Sequence, residues 1–280
     1  MIRDTFFSIP RFVSLCRKDM VESWKANLLR LVMMYGIMAV FFVWNGYFQY
    51  ESFPSNQHWV QLGNDPIWKI ELIFFMWMIL IMGLLSASFI MEKMKSKTNR
   101  IACLMTPATM FEKFFSRWVV FTFGYLIAFL IAFKLADWTR VLIYTMGYPE
   151  IDVIASLPLC HLVGDEQSTY WPAFENSRYF LLAISFYFAA QSLFVLGSSI
   201  WPKNAFVKTV AACVVIAIVF ISIAATVVSI FEHKRIYGMG FSMTEEDMMS
   251  LSMIGLFILT CFNWMLAYFR FKESEIINRW

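Results

Sequence analysis

Charge is what this sequence has least of. Only 15% of its 280 residues are Asp, Glu, Lys or Arg, where a soluble domain carries about a quarter. That scarcity excludes an ordinary water-facing domain. The five cysteines form no disulfide framework, because Cys160 alone falls in an outer segment and one such thiol cannot close an intrachain bridge. The three histidines, His58, His161 and His233, lie far apart in sequence, and with Asp165 and Glu166 they show no metal-ligand spacing. No GxxxxGKS or GxxxxGKT loop occurs, so the chain cannot hold a nucleotide in the usual ATPase manner. HExxH and GxSxG are absent too. No catalytic residue, metal site or bound cofactor is assigned, and the chain is not read as an enzyme.

What is present is apolar. Hydrophobic residues make up 60% of the chain and Phe alone occurs 30 times. They gather in six blocks with no interior charge, Leu31–Tyr50, Leu72–Met91, Trp118–Phe133, Tyr179–Ile200, Thr209–Phe231 and Met248–Phe269, each near the roughly 20 residues that cross a bilayer core. The expected spans are 31–50, 70–91, 112–134, 179–200, 208–231 and 248–269. The fifth, rich in β-branched residues, would favour a strand in water. In lipid a lone strand leaves its backbone unpaired, so helix is expected there as well. The uniformly apolar runs also lack the alternation of a β-barrel. The expectation is therefore an all-α integral membrane protein, a single transmembrane domain over 1–280. The first apolar run starts only at Leu31 and lacks a small-residue cleavage site, so no cleaved targeting signal is expected.

Charge placement sets the expected topology. With the N-terminus inside and six alternating spans, the basic groups around 3–30, 93–117, 203–208 and 270–279 all fall inside. Only Lys69, Lys134, Arg140, Arg178, Lys234 and Arg235 remain outside, where most of the acidic residues collect. The small net charge of +3 hides this asymmetry, and the positive-inside rule then puts both termini in the cytoplasm. The basic residues hug helix ends, so membrane lipids account for them and no nucleic acid is implied. Residues 1–30 interleave Phe6, Phe7, Phe12, Met20, Val21 and Trp24 with Arg11, Arg17, Lys18 and Lys25. That pattern reads as an interfacial amphipathic helix beginning near Pro10. Residues 135–178 read as a large extracytoplasmic loop. No block has a charge near its middle, and Lys69 and Glu71 fall at a helix end. Among the polar groups inside the spans, Asn45, Gln49 and Gln191 are the candidates for a substrate path, since large amides are costly to leave idle in lipid.

The most distinctive segment is Glu92–Arg117, EKMKSKTNRIACLMTPATMFEKFFSR. A span exits into a basic stretch, a short apolar element follows, and an amphipathic run leads into the third span. Two helix starts are available: Thr106 with Pro107 as cap and first residue, or Thr109 with Glu112 as a capping box. Leu104-Met105-Thr106-Pro107-Ala108-Thr109 and Glu112-Lys113-Phe114-Phe115-Ser116-Arg117-Trp118 resemble the corresponding stretches of ABC type-2 transporter permeases. They resemble in particular the single-domain six-helix versions from bacteria of the Bacteroides group. Thr106 departs from the pattern, which has an apolar residue there. The close likeness covers about thirty residues, and the remainder matches only in outline.

The resemblance implies a permease subunit of an ATP-driven exporter in the bacterial cytoplasmic (inner) membrane. Its partners would be a separate ABC ATPase chain and a second permease, as homodimer or with a related chain. It further implies that the loop between spans two and three docks the ATPase, here around Met94–Met110. The residues it assigns are Lys95, Lys97, Arg100, Leu104, Thr106, Pro107 and Glu112. A different reading makes the chain a membrane scaffold or sensor that binds a ligand through 135–178. The cargo is not encoded in any motif.

Overall fold

In hydrocarbon every backbone N–H and C=O must be paired within the protein, and a helix does this inside one segment. The computed structural model describes residues 6–51, 65, 67–149, 154–164, 172–233 and 244–273. Six of its helical segments are long and apolar enough to cross a membrane: Trp24–Glu51, Trp68–Met94, Met110–Gly147, Ser177–Ile200, Ala205–Ile223 and Glu245–Lys272. Each overlaps one expected span. The chain is all-α; among the described residues the only β pairing is an isolated bridge between Val163 and Phe174.

In chain order the helices are α1 (Ile9–Glu22), α2 (Trp24–Glu51), α3 (Trp68–Ser88), α4 (Lys97–Leu104), α5 (Met110–Val119), α6 (Tyr125–Gly147), α7 (Ser177–Ile200), α8 (Ala205–His233) and α9 (Glu245–Lys272). A π turn at Val120–Gly124 joins α5 to α6, so the two run as one long helix. That helix continues through Gly147, well past Lys134, where the sequence suggested an end. Lys134 is half-buried and paired, and the next charges on its face, Asp137 and Arg140, are fully buried, as shown below.

Local chemistry fixes the helix ends. Pro10 sits in the first turn of α1, where its missing N–H costs nothing. Ser96 caps α4 by accepting the Asn99 N–H. Thr244 caps α9, whose first turn carries Glu245, Glu246 and Asp247 and whose last turn carries Arg270 and Lys272, both suited to the helix dipole. Asn204, at φ 59°, makes the sharp link from α7 to α8.

The chain divides into two units. The first comprises Met1–Ser86 and Ala108–Ala183, the second Ala87–Pro107 and Ile184–Trp280. In the first unit α2 buries Met34, Met38, Phe42, Gly46 and Tyr50, a stripe with a four-residue step. That ridge packs on Phe129, Ala132, Phe133 and Ala136 of α6, with Leu72, Phe75 and Met78 of α3 filling the core. Phe42 and Phe133 meet edge to face at 5.4 Å. Lipid is as apolar as these side chains, so close fit rather than the hydrophobic effect holds the helices together. In the second unit α7 meets α9 through Asn263 Nδ2, which donates to Ser192 Oγ at 3.0 Å, and through Phe188 against Trp264. Gly197 of α7 lies directly under Thr209 of α8. Over Ala205–Ile223, α8 is exposed nearly all round, with 6% of that span buried, as suits a helix facing lipid.

Two glycines of α2 provide a test of this packing. A Cβ on Gly46 would overlap the Tyr144 ring, whose hydroxyl is pinned by donating to Val43 O at 2.5 Å. A Cβ on Gly36 would meet nothing within 4 Å. Thermal unfolding in detergent is expected to show Gly46→Ala destabilised by about 1–3 kcal/mol. Gly36→Ala is expected to be neutral or up to about 1 kcal/mol more stable.

Candidate docking surface and buried charge clusters

The segment between the second and third spans folds as a 3₁₀ turn, Glu92–Met94, followed by α4. Lys95 and Lys97 are exposed, as are Thr98, Ala102 and Pro107, and Met105 reaches 75% exposure. Leu104 is half-buried. Arg100 is turned inward: its Nη2 donates to Met94 O at 3.2 Å, and it lines a small cavity with Met91, Ser199, Pro202 and Arg270. It therefore anchors α4, while the two lysines present it. The Thr106 hydroxyl donates back to Ala102 O at the end of α4. Of the two possible helix starts the fold takes the second. Thr109 accepts the Glu112 N–H, and Glu112 accepts the Thr109 N–H, a complete capping box.

Glu112 does more than cap. Its carboxylate has no exposure, and Oε1 accepts the Ser8 N–H and Arg11 Nη2, both at 2.8 Å. Oε2 accepts Arg11 Nε at 2.7 Å and the Thr109 N–H at 3.1 Å. This is a forked guanidinium–carboxylate pair, the strongest common form of ion pair. Around it Phe6 stacks on Phe111 at 5.1 Å and Phe12 lies 5.3 Å from Phe115. Arg117 Nε faces Asp19 at 3.7 Å. Glu112, which the resemblance assigns to docking, fastens α1 onto α5. It belongs to the first unit, whereas Lys95, Lys97, Arg100, Leu104, Thr106 and Pro107 belong to the second.

The sequence reading missed a second cluster, at the other end of the long helix. Arg140 of α6 has no exposure and touches three carboxylates. Nη1 meets Asp65 Oδ2 at 2.8 Å, Nη2 meets Asp137 Oδ1 at 2.8 Å, and Nε stands 2.6 Å from Glu71 Oε1. The Glu71 contact is close but misaligned for a hydrogen bond, so it is an ion pair only. Nη1 also donates to Tyr50 Oη, which donates in turn to Asp65. Backbone joins in: Arg140 Nη2 donates to Ala155 O, Ala155 N–H donates to Asp65, and Leu157 N–H donates to Asp137. Lys134 donates to Leu157 O and lies 4.0 Å from Asp137. The cluster thus clamps residues from two connecting segments, Asp65 and Ala155–Leu157, onto α2, α3 and α6. The available signal was Lys134, Asp137 and Arg140, which recur every three residues and share one helical face.

Of the candidate path residues, Asn45 and Gln49 lie one turn apart on α2 in the first unit, and Gln191 lies on α7 in the second. Asn45 donates back to Phe41 O, one turn earlier. Gln49 is half-buried on α2. Gln191 is fully buried in the second unit, and among the described residues neither atom of its amide has a partner. Among the described residues no group of His, Cys, Asp and Glu is arranged to hold a metal ion. The side chains of His58, His161 and His233, with Asp165 and Glu166, lie outside the described residues.

Fold and sites together define an integral membrane protein built of six apolar helices with paired charges at helix ends. No protein-family model matches the chain, and neither does any curated protein or solved structure.

Arg140→Gln would leave three buried carboxylates around a neutral group. The expected cost is about 3–5 kcal/mol, seen as lost folded protein after detergent extraction or a much lower unfolding midpoint. Lys95→Gln, on the exposed face, is expected to leave that midpoint unchanged.

Proposed function

We propose that the chain is the membrane-spanning subunit of an ATP-driven exporter in a bacterial cytoplasmic membrane. A separate ATPase chain would dock on Glu92–Arg117. Two such subunits would pair, with both ends of each chain on the ATPase side. The observation that carries this reading is α4. It is a capped helix far too short to cross a membrane, inserted between two spanning helices. Its Arg100 is anchored inward, while Lys95, Lys97 and Met105 project outward. A short, rigid, basic helix of this kind is suited to receive a push from another chain and pass it to the spans on either side. These 280 residues contain no phosphate-binding loop, so this reading assigns the push to a separate chain. The basic bias of the same segment supports its cytoplasmic side.

The sensor reading finds less support. Part of 135–178 belongs to α6, and Ala155–Leu157 is clamped to the spanning helices, which leaves less of the segment as a separate binding module.

Purification of the chain from its native membrane and reconstitution in liposomes tests the proposal. The preparation is expected to contain an ATPase chain and to hydrolyse ATP. The double variant Lys95→Glu, Lys97→Glu is expected to lose at least tenfold of that activity, while the folded membrane subunit is recovered in normal yield. Absence of ATP hydrolysis, or full hydrolysis with the same associated chains in the variant, would contradict it.

A further inference from the structure

Helix α1 turns one face to α5 and leaves another uncovered. On the uncovered side Val13 and Met20 are exposed, as is Trp24 at the start of α2, with the basic residues Arg17 and Lys18 of α1 and Lys25 of α2 also exposed beside them. Glu22 is the exposed acid here and pairs with Lys18 at 3.7 Å, whereas Asp19 is turned towards Arg117. A single residue, Ser23, separates α1 from α2. The exposed apolar surface of α1 therefore runs on into Leu28 and Val32 of α2, a spanning helix whose outer face lipid must cover. An amphipathic helix with basic residues beside an apolar stripe suits a bilayer interface. Lys and Arg so close to the surface favour anionic headgroups over zwitterionic ones.

We propose that this face of α1, with the first turn of α2, docks on anionic lipid headgroups at the surface of the membrane that α2 enters. Val13, Met20 and Trp24 sink to the acyl boundary, and Arg17, Lys18 and Lys25 meet lipid phosphates. The contact does not stop at α1. Arg11 and Ser8 hold Glu112, and Asp19 holds Arg117, so α1 and α5 move as a pair. Lipid charge then bears directly on the start of the long helix. The inference goes beyond the exporter reading and does not depend on it.

Hydrogen exchange of the full chain in lipid nanodiscs tests this, comparing phosphatidylcholine alone with phosphatidylcholine plus phosphatidylglycerol. Amides of Ile9–Glu22 are expected to exchange roughly tenfold or more slowly with the anionic lipid. In the triple variant Arg17→Gln, Lys18→Gln, Lys25→Gln the difference is expected to vanish, while α5 keeps its protection. The unsubstituted protein gives a second reading: at about 1 M salt, where the screening length is about 3 Å, the lipid difference is expected to collapse. Equal exchange in both lipids, or a difference that survives that salt, would overturn the proposal. Slowing that appears only when a partner protein is added would also overturn it, because the face would then be a protein contact.

Discussion

A charge taken out of water must find a partner, or it costs several kcal/mol. The first unit is arranged around that demand. Its long helix, Met110–Gly147, carries a buried cluster near each end: Glu112 with Arg11, and Arg140 with Asp65, Glu71 and Asp137. At about 1.5 Å per residue the two clusters stand about 42 Å apart along the helix. A bilayer with its headgroups is about 40–45 Å thick, around a hydrocarbon core of about 30 Å. That match is the basis for assigning one cluster to each membrane surface, with the Phe-rich core of α2, α3 and α6 between them. Each cluster collects chain that would otherwise be loose: α1 at one end, Asp65 and Ala155–Leu157 at the other.

This arrangement bears on the proposed mechanism. A subunit that is moved by another chain needs a stiff lever and a firm far end. Capping by Ser96 and the buried Arg100 stiffen α4, and the bidentate Glu112 contact stiffens α1 against α5. The Arg140 cluster ties three spanning helices of the first unit together at the opposite end of the long helix. The proposal thus asks the protein to work through rigid parts, with the exposed Lys95 and Lys97 offered to the partner and Glu112 holding α1 to α5.

Much of the fold was legible because lipid imposes so few solutions. Charge-free blocks of spanning length had to be helices, and all six are. Thr109 and Thr244 were readable as caps from the acidic residues that follow them. The charge clusters were less legible, because their partners come from distant parts of the chain and a charge at a block's edge reads first as solvated. Glu71 and Arg140 lie nearly seventy positions apart, and only folding brings them together. Lys134 likewise suggested a helix end, although its three-residue spacing with Asp137 and Arg140 marked a continuing face. Glu112 was visible as a capping residue, but its grip on Arg11 was not. Gln191 was singled out as an amide costly to leave idle. It is buried, and among the described residues neither atom of its amide has a hydrogen-bond partner.

The claim that the two charge clusters occupy opposite membrane surfaces can be tested directly by sided labelling. In a version of the chain with its native cysteines replaced, Ser14→Cys on α1 and Thr145→Cys near the end of α6 would each report one cluster. Intact, uniformly oriented membrane vesicles would be treated with a thiol reagent that cannot cross the bilayer. The account predicts that one position labels from outside and that the other labels only after the vesicles are opened. Labelling of both positions from the same side would contradict it.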